Sequence, residues 1–117
     1  MDEYFKVRGV KDRDYLHFME NNPSKFDEFN MCHRNGYNFT VSYFLDESEK
    51  VGYGLVATNQ HLKLDGTKYL AIGFVEGDDV ICLNLETGTV HLWLVKSDGG
   101  KWLQVADSFA DFVDMFS

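Results

Sequence analysis

Chemistry-bearing motifs are scarce in this sequence. Cys32 and Cys82 are its only cysteines, and neither sits in a CxxC or Cys/His spacing, so zinc and dithiol chemistry are not indicated and both are expected to stay reduced. EF-hand ligand spacing is absent, which removes that calcium chemistry. No run approaches the ~18 apolar residues of a membrane span. The opening MDEYFKVRGVKDRDY is charged throughout, with no apolar stretch of signal length, and a cytoplasmic location is the expectation. His17, His33, His61 and His91 stand in no catalytic spacing, and Ser42, Ser108 and Cys82 lack a nucleophile signature. The expectation is therefore no enzyme, no cofactor and no metal.

Basic residues are also few, and their scarcity is local. The chain carries 11 Lys/Arg against 19 Asp/Glu, a net charge of −8. Residues 76–117 hold two basic and eight acidic residues, whereas 1–75 are nearly balanced. A surface of that sign repels phosphate backbones and steers basic proteins toward it, although acidity by itself also serves solubility. Direct nucleic-acid binding is excluded on this reading, and a protein partner with a basic surface is favoured.

What is abundant is aromatic. Ten Phe, six Tyr and two Trp, within 44% hydrophobic residues overall, supply a packed interior for one domain spanning residues 1–117. Asp12 or Asp14 opens a helix with Tyr15, Phe18 and Met19 at i, i+3 and i+4, ended by Asn21-Asn22-Pro23. Asn22 and Pro23 suit the start of a further helical turn bearing Phe26 and Phe29. After the turn dipeptide Asn35-Gly36, period two begins. Phe39, Val41, Tyr43 and Leu45 take one face of a strand, with Thr40, Ser42 and Phe44 on the other. Asp46 to Lys50 is a charged loop, Gly52-Tyr53-Gly54-Leu55-Val56 a second, glycine-weakened strand, and Leu62 to Thr67 a polar connection.

From Tyr69 the pattern is an antiparallel meander: Tyr69 to Phe74, Val80 to Leu85, Val90 to Val95 and Lys101 to Val105. Its turns are Glu76-Gly77-Asp78, Glu86-Thr87-Gly88 and Ser97-Asp98-Gly99-Gly100. The second and third of these strands are apolar on both faces and read as central. Phe109, Phe112, Val113 and Phe116 then recur at helical spacing, behind a capping-box-like Ser108 and Asp111. The fold class is α+β, a mainly antiparallel, or mixed, sheet packed against helices and closed by a C-terminal amphipathic helix.

The run YLAIGFVEGDDVICLNLETGTVHLWLV, followed after a turn by VADSFADF, resembles the C-terminal signature of the SUKH superfamily, the Smi/Knr-like group. The residues that carry the likeness are Ile72-Gly73, Gly77-Asp78, Ile81-Cys82-Leu83, Thr87-Gly88, Val90 with Trp93, and Ser108-Phe109 with Phe112. Glu76 and Leu94 depart from the usual pattern, and the first 68 residues match poorly. The resemblance implies a non-enzymatic domain that binds proteins. Members that are immunity proteins bind and block a cognate toxin, often a nuclease; fungal members imply instead a regulatory or scaffold module. A monomer or weak homodimer is expected.

Five residues stand out as a partner-binding site: Glu76, Asp78 and Asp79 on one turn, Asp98 on a neighbouring turn, and Trp102. The carboxylates suit Lys or Arg on a partner, and equally suit a solvated turn in which Asp78 bonds its own backbone. Trp is enriched at binding hot spots. Trp93, in a central strand, is expected in the core, while Trp102 beside Gly99-Gly100 is open to either role.

Overall fold

The computed structural model describes residues 2–20, 31–34, 37–95 and 100–114, with the backbone alone for 31–34, 37 and 38. The elements follow in the order α1 (Asp2–Arg8), α2 (Arg13–Glu20), β1 (Met31–Arg34), β2 (Tyr37–Phe44), α3 (Leu55–His61), β3 (Tyr69–Val75), β4 (Val80–Asn84), β5 (Val90–Leu94), β6 (Lys101–Ala106) and α4 (Phe109–Asp114). The strands form one sheet in chain order, each antiparallel to the next. The sheet curls until Cα atoms of β1 come within 8 Å of β6. This is the α+β class expected from the sequence, with β4 and β5 central.

Two of the helices start where their caps dictate. Asp12 Oδ1 accepts the Tyr15 N–H at 3.1 Å, which places the start of α2. Ser108 Oγ accepts the Asp111 N–H at 3.0 Å at the head of α4. At six residues α4 is too short to persist alone, so packing holds it: Phe109 and Phe112 are fully buried, worth about 1.5–3 kcal/mol each. Phe109 meets Tyr15 and Phe18 edge-on, both at 5.2 Å between ring centroids, and Phe18 meets Phe44 at 4.8 Å. Phe44 belongs to a register row that runs Phe44, Gly73, Ile81, Leu92, Leu103 across β2 to β6. That row marks the inner face of the sheet, under α2 and α4.

Two expected elements are corrected. Gly52 to Val56 is not a strand: α3 begins at Leu55 with Gly54 as its N-cap. Asp46 and Gly54 form a single parallel bridge, in which Leu55 N–H donates to Asp46 O at 2.8 Å. There the two backbones pass so closely that a Cβ on Gly54 would sit 1.6 Å from Ser48 O, so the glycine that looked like strand weakness is a close-approach site. The face of β2 is also not uniform. A bulge between Val41 and Tyr43 turns Tyr43 to the outer face and puts Phe44, 3% exposed, into the core. α1 is an element for which the sequence reading had no counterpart. The expected turns at Asn22 to Phe29 and at Asn35-Gly36 lie outside the described residues.

β2 pairs with β3 only over Gly73 to Val75, so the rest of the β3 edge needs other partners. α3 supplies them. Asn59 is fully buried; its Oδ1 accepts from Ala71 N–H at 2.8 Å and its Nδ2 donates to Ala71 O at 3.0 Å. The side-chain amide thus stands in for a strand peptide. Next along the edge, Arg8 of α1 donates to Tyr69 O and Leu64 O and pairs with Asp65 at 3.1 Å, its own side chain only 3% exposed. Tyr4 donates to the same Asp65 carboxylate. Burial, and then this bond, push the Tyr4 phenol up to about 12. The guanidinium, with five donors in a planar fork, serves two carbonyls and a carboxylate at once.

Candidate functional site

The outer face of the sheet follows from strand alternation. Partners in register one after another across β2 to β6 are Tyr43, Phe74, Val80, Trp93 and Trp102. This row lies one residue away from the inner row and therefore faces the opposite side. Val80 is buried, Tyr43, Phe74 and Trp93 are half-buried, and Trp102 is 39% exposed. Trp93 is thus not the core residue expected from its central strand; it packs against the core from outside.

The rings are organised as two piles. At one side Trp93 stacks on Trp102 (5.3 Å, planes 2° apart) and Trp102 on Tyr69 (4.1 Å, 19°). The Lys68 ammonium caps Tyr69 at 5.5 Å. At the other side Phe74 meets Tyr43 (5.4 Å), Tyr43 stacks on Tyr53 (5.6 Å), and the Lys50 ammonium caps Tyr53 at 5.3 Å. Val80 joins the piles. Gly100 makes room for the first: its φ is +69°, and a Cβ there would meet Trp93 Nε1 at 2.8 Å. Tyr43 is held further by donating to Gly52 O at 2.7 Å. These side chains are fixed by stacking before any partner arrives.

The β3–β4 turn lies at one end of this face. Its backbone is closed by Val75 N–H to Asp79 O (3.0 Å) and Asp78 N–H to Val75 O (3.1 Å), and tied to β2 by Glu76 N–H to Thr40 O (2.9 Å). Asp78 adopts φ +68°, a conformation Asp tolerates. Glu76 and Asp78 are exposed and Asp79 half-buried, with one Asp79 carboxylate oxygen buried and without a hydrogen-bond partner among the described residues. Neither Glu76 nor Asp79 has an ion-pair partner among the described residues. Burial pushes the Tyr43 phenol upward, helped by Tyr53 and by the Asp78 carboxylate. Because Val80 pairs with Trp93 and Trp93 with Trp102, the turn and Trp102 share one end of the sheet. Of the five residues singled out from sequence, four are brought to this region; Asp98 lies outside the described residues.

Sequence reasoning missed Tyr43, Tyr53, Tyr69 and Phe74 as part of the same surface. Only the density of tyrosine and tryptophan, residues with one polar end, pointed to a half-exposed face. The remaining reactive groups offer little chemistry. Cys82 is buried and burial raises its thiol, which leaves it inert. His91 bonds Thr89 Oγ1 through Nε2 at 2.8 Å and meets Tyr69 edge-on. Burial, with Lys68 nearby, lowers its pKa. Among the described residues no group of three or more His, Cys, Asp or Glu could hold a metal, and no helix is long and apolar enough to cross a membrane. Clefts of about 390 Å³ between α1 and α2 and about 480 Å³ beside α3 include no residue of the row or of the acidic turn.

The sequence model of the SMI1 / KNR4 family (SUKH-1) matches residues 12–115, all the described elements except α1. No curated protein and no solved structure matches the chain.

Proposed function

Since the chain belongs to the SMI1 / KNR4 family (SUKH-1), we propose that it is a non-enzymatic, cytoplasmic binding protein of the immunity type, which neutralises a cognate toxin by covering it. The observation that carries this reading is that Glu76, Asp78 and Asp79 lie at the same end of the sheet as the exposed Trp102. A nuclease needs a basic surface to hold its substrate, and an acidic protein of net charge −8 competes for that surface. Inhibition by this route needs occlusion, not chemistry.

The test is co-expression with a polymorphic toxin encoded by a neighbouring gene. The expected outcome is a complex that protects cells and whose association slows as salt rises, as steered encounters do. A toxin that neither binds nor loses toxicity sinks the proposal. Recovery of several housekeeping proteins instead of one toxin would favour a regulatory scaffold.

A further inference from the structure

We infer that the whole outer row, and not the acidic turn alone, is the docking face. It takes a protein partner that lays an apolar side chain across the rings and sets an arginine or lysine against the 76–79 turn. This rests on the binding function just proposed and adds the surface and the recognition chemistry.

Exposed apolar surface is concentrated here. The large hydrophobic residues most exposed among the described residues are Val7, Val51, Tyr53, Val95 and Trp102. Tyr53 and Trp102 belong to the two piles, Val51 precedes Tyr53 by two residues, and Val95 directly follows β5. Val7 is on α1, beside Gly66 and Thr67. A contiguous apolar patch is an aggregation liability in a protein that binds nothing, and its usual meaning is an interface. The rings are also prepaid. Stacking fixes their side chains in the free protein, so little rotamer entropy remains to be lost on binding.

Charge complementarity selects the occupant. Lys50 and Lys68, the cations at the outer ends of the piles, are already seated over Tyr53 and Tyr69. Strand alternation sends Lys101 to the face opposite Trp102. At the turn the balance reverses, with three carboxylates within four residues and no counter-charge on Glu76 or Asp79 among the described residues. A second copy of this chain would bring another −8 and repel, whereas a partner whose apolar knob is flanked by Arg or Lys matches both halves of the surface. Arg is the better fit, since its planar fork of donors meets a carboxylate through two hydrogen bonds at once.

Both tryptophans of the chain lie in this face, so intrinsic fluorescence reports on it directly. The probe is the toxin domain encoded beside the gene, titrated by calorimetry into the full chain, with acrylamide quenching recorded free and bound. Trp102→Ala and Tyr53→Ala are each expected to weaken binding about tenfold or more, as central aromatic anchors do. Val7→Ala, at 79% exposure on α1, serves as the control and should stay within about twofold of the parent. In the complex, quenching should fall. If the toxin binds while both face variants match the parent and quenching does not change, the docking face is wrong and the binding function stands. Absence of binding by the parent chain removes both.

Discussion

The sheet carries two adjacent rows of residues whose contexts are opposite. Phe44, Gly73, Ile81, Leu92 and Leu103 face the helices, while Tyr43, Phe74, Val80, Trp93 and Trp102 face outward. Both faces are aromatic, yet their geometry differs. On the inner face Phe109 meets Tyr15 and Phe18 edge-on, with Phe109 and Tyr15 fully buried. On the outer face most ring pairs stack, with planes 2–23° apart and Phe74 tilted by 36° against Tyr43, tyrosine and tryptophan being prominent and their perimeters wet. The inner arrangement interlocks three elements and serves stability. The outer one covers small buried residues such as Ala71 and Cys82 and still leaves area to offer.

Removing one ring from each face is the strongest way to break that comparison. Phe112→Ala opens a hole under α4 and should cost about 3–5 kcal/mol, enough to unfold a large share of the molecules at 37 °C. Trp102→Ala leaves no enclosed cavity and forfeits stacking on two neighbours, about 1–2 kcal/mol. Chemical denaturation of the two variants checks this. Equal losses would mean that the outer pile is as structural as the core, and would weaken the case for it as a docking face.

The seam between the faces is the β3 edge, where Asn59 replaces a missing strand. Asn59→Ala leaves the Ala71 N–H and C=O without their partners in a fully buried setting. With about 1–3 kcal/mol for each of the two orphaned groups, the expected loss is about 2–6 kcal/mol. Hydrogen exchange should show the Ala71 amide losing protection first. An unchanged amide would mean that water, or a shift of β2, repairs the edge at little cost.

How much of this was legible beforehand depends on how local the cause is. The caps at Asp12 and Ser108, the Phe109 and Phe112 spacing, and the glycine turns at 76–78 and 86–88 act within a few residues, and each of these appeared where its signal stood; the expected turn at Ser97 to Gly100 lies largely outside the described residues. Gly54 was misread because its constraint is Ser48 O, brought in by the loop's return. Tyr43 was placed on the wrong face because the bulge before it depends on pairing with Phe74 and Val75. The 76–79 turn and Trp102 could be named as candidates, but their shared end of the sheet follows from three successive registers. Arg8 and Asn59 gave no signal at all, since a lone polar residue on a short helix looks the same whether it faces water or a bare strand edge.

The smallest expected effect separates the two faces by pH. His91, beside Tyr69 on the outer side, has its pKa lowered below the ordinary 6.5 by burial and by Lys68, so folding favours the neutral imidazole. The stabilisation is complete above 6.5, where the unfolded chain is also neutral. It fades as pH falls toward the folded value, because the unfolded state then binds the proton more readily. The inner face contains no group that titrates in this range among the residues that form its row. Thermal melts from pH 7.5 to 5 should therefore show the parent losing ground to His91→Gln, which keeps a polar end for Thr89 and cannot take the charge. With much of the imidazole still in contact with solvent, the difference should stay below about 4 °C. Parallel melting curves for the two proteins would mean that protonated His91 is accommodated as well in the pile as in water, and that the outer face is looser than its stacked rings imply.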